Sequence, residues 1–192
     1  MRHSRALRLG AVLALGATGA VMLAAPAGAG QVFRETIHEE QTLVLSDFCE
    51  APGLTVELAY VLDLRTRAVP HGPDGLDYFA EHAKQTQVVT NLANGKSITG
   101  AFNISDKDLR VTDNGDGTLT ILVMGTGTAA LYGADGKAIA RNPGQTRWEI
   151  LVDHNGTPSD PFDDEFIADL GVVKGSTGRS DDFCAATVLA LS

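Results

Sequence analysis

The chain has 192 residues, 44% of them hydrophobic and only 6% aromatic, with 15 Lys plus Arg against 24 Asp plus Glu and a formal net charge of −9. That length suits one domain with a single core. An acidic surface without a basic stripe repels phosphate backbones and anionic lipid, so no nucleic acid is expected as a partner; what it favours is solubility and cations held near the surface.

In chain order, the first feature is an export signal. Arg2, Arg5 and Arg8 precede an uncharged apolar run from Leu9 to Ala25, and Ala25-Pro26-Ala27-Gly28-Ala29-Gly30 supplies the small residues that a signal peptidase accepts. Cleavage after Ala27 or Ala29 is expected, giving residues 1–29 as a Sec signal and 30–192 as a single β domain. The run is short for a bilayer span, and neither a twin-arginine pair nor a cysteine marks the cleavage region, so the expectation is a secreted, extracellular product without a stable membrane anchor. Loss of the three signal arginines takes the net charge from −9 to about −12.

Cys49 and Cys184 are the only cysteines and lie more than 130 residues apart, each after an Asp-Phe pair. In an oxidising compartment an even count reads as a disulfide, here a structural staple that closes a long loop and stabilises by up to about 5 kcal/mol. A bond between these positions brings the two ends of the domain together.

Between the cysteines the periodicity is two. Leu54, Val56, Leu58, Tyr60, Leu62 and Leu64 alternate with residues such as Thr55, Glu57 and Asp63, which predicts a strand with one buried face. Gly75–Lys84 reads as an irregular strand or one short helix, the only helical candidate after the signal. Alternation returns at Ile98–Ile104, Leu119–Val123, Trp148–Val152 and Phe166–Val172. Asn94-Gly95, Asn114-Gly115-Asp116-Gly117, Asp135-Gly136 and Asn155-Gly156 supply hairpin turns about every 20 residues. Each interval therefore holds one long curved strand or two short ones, and Gly100, Gly125, Gly127 and Gly171 inside the strand patterns favour curvature. The expected fold is all-β: an antiparallel meander closed as an up-and-down barrel, lipocalin-like or allene-oxide-cyclase-like, with a two-sheet β-sandwich as the alternative.

Chemistry is sparse in this sequence. No GxSxG, HExxH, GxGxxG before a helix, or P-loop is present, so no catalytic residue is assigned. Glu81 and His82 with Tyr78 would serve acid–base chemistry only if they faced a common cavity, and Asp153-His154 lacks a nucleophile elbow to complete a triad. Asp113-Asn114-Gly115-Asp116-Gly117 fails the calcium-loop pattern because Gly115 offers no side-chain oxygen where one is required, and it reads as a turn. The acidic loop is the metal candidate: Asp153, Asn155, Asp160, Asp163, Asp164 and Glu165 crowd hard oxygen ligands into a segment stiffened by Pro158 and Pro161, a composition suited to calcium.

The segments Asn91–Lys96, Asp113–Ile121, Asp153–Pro158 and Gly171–Arg179 together resemble a group of secreted actinobacterial β-proteins with no assigned function. The resemblance implies the compartment and a one-domain organisation and carries over no site residue. Three functional classes follow. A closed barrel could hold a small apolar ligand inside, lined by a face such as Leu54–Leu64. It could instead be an isomerase or coupling-directing enzyme of the allene oxide cyclase or dirigent type, by analogy of fold alone. Or it could be a cell-surface or matrix protein with a macromolecular partner and no ligand. With no catalytic motif, binding ranks above catalysis; inward-facing polar residues such as Glu57 or His82 would favour a ligand cavity.

Overall fold

The computed structural model describes residues 32–73 and 75–192, so the signal-peptide expectation lies outside the described residues. Among the described residues seven strands, β1 (Phe33–Leu45), β2 (Val56–His71), β3 (Leu76–Asn91), β4 (Ser97–Asp113), β5 (Thr118–Tyr132), β6 (Ala138–Asp153) and β7 (Glu165–Lys174), form one antiparallel sheet in sequence order. It is a meander in a single sheet, where a sandwich would need two, and the intervals between turns are single long strands. β1 and β7 stand at the two ends of the pairing order.

Alternation assigns the faces. On β2, Val56, Leu62 and Ala68 are buried while Glu57, Asp63, Arg65 and Arg67 are exposed, because successive side chains on a strand point to opposite sides. Carrying that phase across the ladders puts Val89, Ile98, Leu131 and Ala140 on the same inner face. Each such buried aliphatic contributes about 1.5–3 kcal/mol. They gather at one end of the sheet with Leu191, and with Leu45, Leu54, Phe102 and Phe183 packed around them. A second cluster, Leu76, Val111, Leu119, Ile121, Val123 and Val152 against Tyr78 and Trp148, fills the other end.

The first cluster is closed by a helix. After β7 the chain runs back along β6, with Thr177 N donating to Gln145 O and Asp181 N to Arg141 O, each at 3.2 Å. It then forms α1 (Phe183–Leu191), whose N-cap Asp182 accepts from Ala185 N at 2.9 Å. The last carbonyl of α1 finds two partners across the chain: Asn91 Nδ2 and Asn94 Nδ2 donate to Leu191 O at 2.9 and 2.8 Å. Cys184 in the first turn of α1 is bonded to Cys49 in a single 3₁₀ turn, Phe48–Glu50, with Cα atoms 5.3 Å apart. The disulfide therefore pins the helix to the end of β1.

Three sequence expectations are corrected. Of the two readings of Gly75–Lys84 the strand holds, the segment forming β3 and its turn, whereas the α-helix among the described residues lies at 183–191, unread in the sequence because α1 is apolar on every side and shows no helical period. Asn155-Gly156 opens a long β6–β7 loop in place of a tight hairpin: β6 ends at Asp153 and β7 begins at Glu165. A first strand, β1, precedes those read from the sequence. Of the strand glycines, Gly127 is required by geometry: at φ 145°, any Cβ there would overlap the carbonyl oxygen of Asn103 on the neighbouring strand.

Candidate functional site

The outer faces of β3 to β6 build a groove. Pairing aligns Lys84, Asn103, Thr128 and Pro143 in one row, and Thr86, Ala101, Ala130 and Arg141 in the next. Together with Tyr132 they line a groove of about 440 Å³, floored by the sheet backbone at Gln85, Phe102 and Ala129. It is an open surface groove and not an enclosed cavity. Small side chains at Ala101, Thr128 and Ala130 leave the floor low, while Lys84 and Arg141 stand at opposite corners. Neither cation has an ion-pair partner within 4.0 Å among the described residues. Asp63, the carboxylate beside Lys84 across the β2–β3 ladder, hydrogen-bonds His38 at 2.8 Å and is held below its ordinary value by His38 first and then by the charges of Lys84 and Arg65. Next to the groove, the ring N–H of His82 reaches Asn103 Oδ1 at 2.8 Å and fixes that amide.

The inner face carries a different chemistry. Ladder pairing sets Thr66, Glu81, Asp106 and Gly125 in one row, with Asp108 in the next. A Cβ on Gly125 would meet Asp106 Oδ1 at 2.8 Å and the Trp148 ring at 2.9 Å, so the carboxylate and the indole occupy the space that this glycine leaves. Burial raises the Glu81 and Asp106 carboxyls above the usual carboxylate range, with Asp106 adding repulsion on Glu81. Asp108 is pushed up to about 6 by burial, offset in part by the Phe79 N–H that its Oδ2 accepts at 2.8 Å and reinforced by Asp164.

The β6–β7 loop brings Asp164 there. Phe162 sits edge-on against Phe33 of β1, ring centroids 4.3 Å apart, and against Phe79 of β3 at 5.9 Å. The loop thus crosses the inner face at the end remote from α1. Asp164 is pushed up to about 6, first by burial and then by Asp163, and burial with Asp160 raises Asp77. Asp77 Oδ1 and Asp164 Oδ1 are buried with no hydrogen-bond partner among the described residues, which is the arrangement that favours a protonated carboxyl.

The six residues of the proposed calcium loop are spread along it. Asp153 Oδ1 accepts from Asn155 N at 2.8 Å, Asp160 Oδ1 from Phe162 N at 3.2 Å, and Asp163 Oδ2 from the Thr157 hydroxyl at 2.5 Å. Asn155 Nδ2 donates to Asp163 O at 2.5 Å, Asp164 turns inward, and Glu165 begins β7 opposite Asp153. These oxygens mostly satisfy the loop itself, and among the described residues no three His, Cys, Asp or Glu side chains are arranged to hold a metal ion. Glu57 and His82 both face outward, and Glu81 and His82 lie on opposite faces of β3, so they share no cavity. His154 is buried, its Nδ1 accepting from Gly156 N at 3.2 Å within the turn.

Sequence reasoning missed the groove and the inner carboxylates. The usable signal was phase: once even-numbered β2 residues are taken as inward, Lys84 must point outward and Glu81 inward. The chain matches no family model, no curated protein and no solved structure. A functional reading therefore rests on the site itself.

Proposed function

We propose that this is a secreted binding protein whose curled sheet forms a barrel-like scaffold and whose groove over β3 to β6 takes a small, elongated, mainly apolar ligand ending in a carboxylate. The observation that carries the reading is the pair Lys84 and Arg141. On a molecule with a net charge of −9, two cations with no ion-pair partner within 4.0 Å among the described residues flank a groove of about 440 Å³ floored by alanine and threonine. A carboxylate supplies what both lack, and Arg141 can take it with two parallel N–H bonds. Strand spacing puts Lys84 and Arg141 about 15 Å apart, three strands and one row, so one ligand end meets a cation while its chain lies on Ala101, Ala130 and Tyr132.

Export agrees with the arginine-flanked apolar run at the N-terminus, with the disulfide, and with the resemblance to secreted actinobacterial proteins. The barrel reading draws support from Phe162 of the β6–β7 loop, which packs against Phe33 of β1. A catalytic reading draws less support, because the carboxylates of raised pKa lie on the opposite face from the groove.

The test is calorimetric titration with dodecanoate and with dodecanol as the uncharged control. Dodecanoate is expected to bind and dodecanol to bind about tenfold more weakly, the equivalent of about 1.4 kcal/mol. Arg141→Ala should remove that difference, and Ala130→Trp should block both. No dodecanoate binding, or equal binding to the Ala130→Trp protein, overturns the assignment of the groove.

A further inference from the structure

β7 is an unusual edge strand. Its ten residues make only seven pairings with β6, because the register slips three times and leaves Ile167, Leu170 and Val173 without a β6 counterpart. Those three recur at every third position and are 48%, 50% and 58% exposed. Bulges of this kind break up the row of backbone donors and acceptors that would otherwise extend a sheet. What the edge offers instead is an aliphatic ridge.

The ridge is electrically polar. At one end Glu165 pairs with Asp153, and at the other Lys174 pairs with Arg147. Like charges placed opposite one another across a ladder are destabilising unless something of opposite sign approaches. Glu165, Lys174 and Arg147 form no ion pair within 4.0 Å among the described residues, and Arg147 Nε is buried without a hydrogen-bond partner there. The acidic end continues into the β6–β7 loop, which carries Asp160, Asp163 and Asp164.

We propose that this edge is the interface with a second copy of the chain, two β7 strands lying antiparallel about a two-fold axis at Leu170. That arrangement sets Leu170 against Leu170, Ile167 against Val173 of the second copy, and the acidic end of each strand against the basic end of the other. A parallel arrangement would stack acid on acid. Being isologous, the contact consumes the ridge and closes at two copies, so the exposed apolar edge does not propagate into a fibre. The interface rests on side chains of one strand per copy and is small by the standards of stable complexes.

The experiment is sedimentation equilibrium on the purified chain from about 5 to about 500 μM, which brackets the affinity of a small interface. A monomer–dimer equilibrium is expected for the wild type. Leu170→Glu should leave monomer throughout, its side chain being half exposed and outside both cores. Glu165→Lys and Lys174→Glu should each weaken association about tenfold, and the double swap Glu165→Lys/Lys174→Glu should recover most of the loss. A wild type monomeric at about 500 μM, dimers indifferent to Leu170→Glu, or a double swap no tighter than either single swap would overturn the proposal. The charge swaps keep the test decisive should Leu170→Glu fail to fold, and neither outcome bears on the β3–β6 groove.

Discussion

Replacing Asp108 by Asn isolates the cost of burying a carboxyl on the inner face. In the folded chain that carboxyl sits at about 6, against an ordinary value of 3.8. Its folded pKa is the higher of the two, so its contribution to stability is fully present below about 3.8 and is lost as pH rises through about 6. By pH 8 the loss reaches about 3 kcal/mol. Asn presents the same amide-like oxygen to Phe79 N, 2.8 Å away in the native protein, and never ionises. Near pH 4 the two proteins should therefore melt within a degree or two of each other. At pH 8 the Asp108→Asn protein should melt higher by about 6–12 °C, taking 2–4 °C per kcal/mol for a domain of this size. The assay is a series of thermal melts from pH 4 to pH 8 followed by circular dichroism. An offset that does not change with pH, or a variant less stable at pH 8, would show that Asp108 is well solvated or that its ionised bond to Phe79 N–H outweighs burial.

Two further outcomes follow from the ends of the sheet. Cys49→Ser/Cys184→Ser should cost about 2–5 kcal/mol and fall most heavily on α1, so amide exchange at residues 183–191 should rise well before that of β2 to β5; unchanged protection of α1 would mean that Asn91, Asn94 and the packing of Phe183 hold it alone. Calcium added to chelated protein should leave the melting temperature unmoved, since Asp153, Asp160 and Asp163 already accept hydrogen bonds within their loop, whereas a rise of several degrees would show that the loop gives up those bonds to bind the ion.

How much of the fold was legible depended on how each element is buried. β2 was plain because it lies inside the sheet with one face on the core and one in water, so Leu54–Leu64 alternate cleanly. β1 left no such trace: as an edge strand it exposes most of both faces, and Glu35, Glu39 and Gln41 stand at inward positions where alternation would have put apolar residues. α1 failed for the opposite reason. Phe-Cys-Ala-Ala-Thr-Val-Leu-Ala-Leu is apolar all round, and its helical state is set by the Asp182 cap, the disulfide and the core beneath it. The final turn was legible as Asn-Gly chemistry, yet Pro158 and Pro161 prevent the chain from re-entering the ladder at once.

The groove hides in the sequence because its residues are individually bland. Threonine, alanine, asparagine and lysine at outward positions of a strand look like any solvated face, and nothing within β3 or β6 alone sets Lys84 apart from Lys107 or Arg141 from Arg34. Only the accumulated register of three ladders, 84 with 103, 103 with 128 and 128 with 143, makes them neighbours. That register is fixed jointly by the hairpin turns at Asn94-Gly95, Asn114-Gly117 and Asp135-Gly136, and a slip of one residue at any of them would exchange the two faces beyond it. The inner carboxylates depend on the same phase. A one-residue slip between β3 and β4 would turn Asp106 and Asp108 out to solvent and Lys107 inward, so a pH-dependent stability traced to Asp108 also tests the register that assembles the groove on the other side.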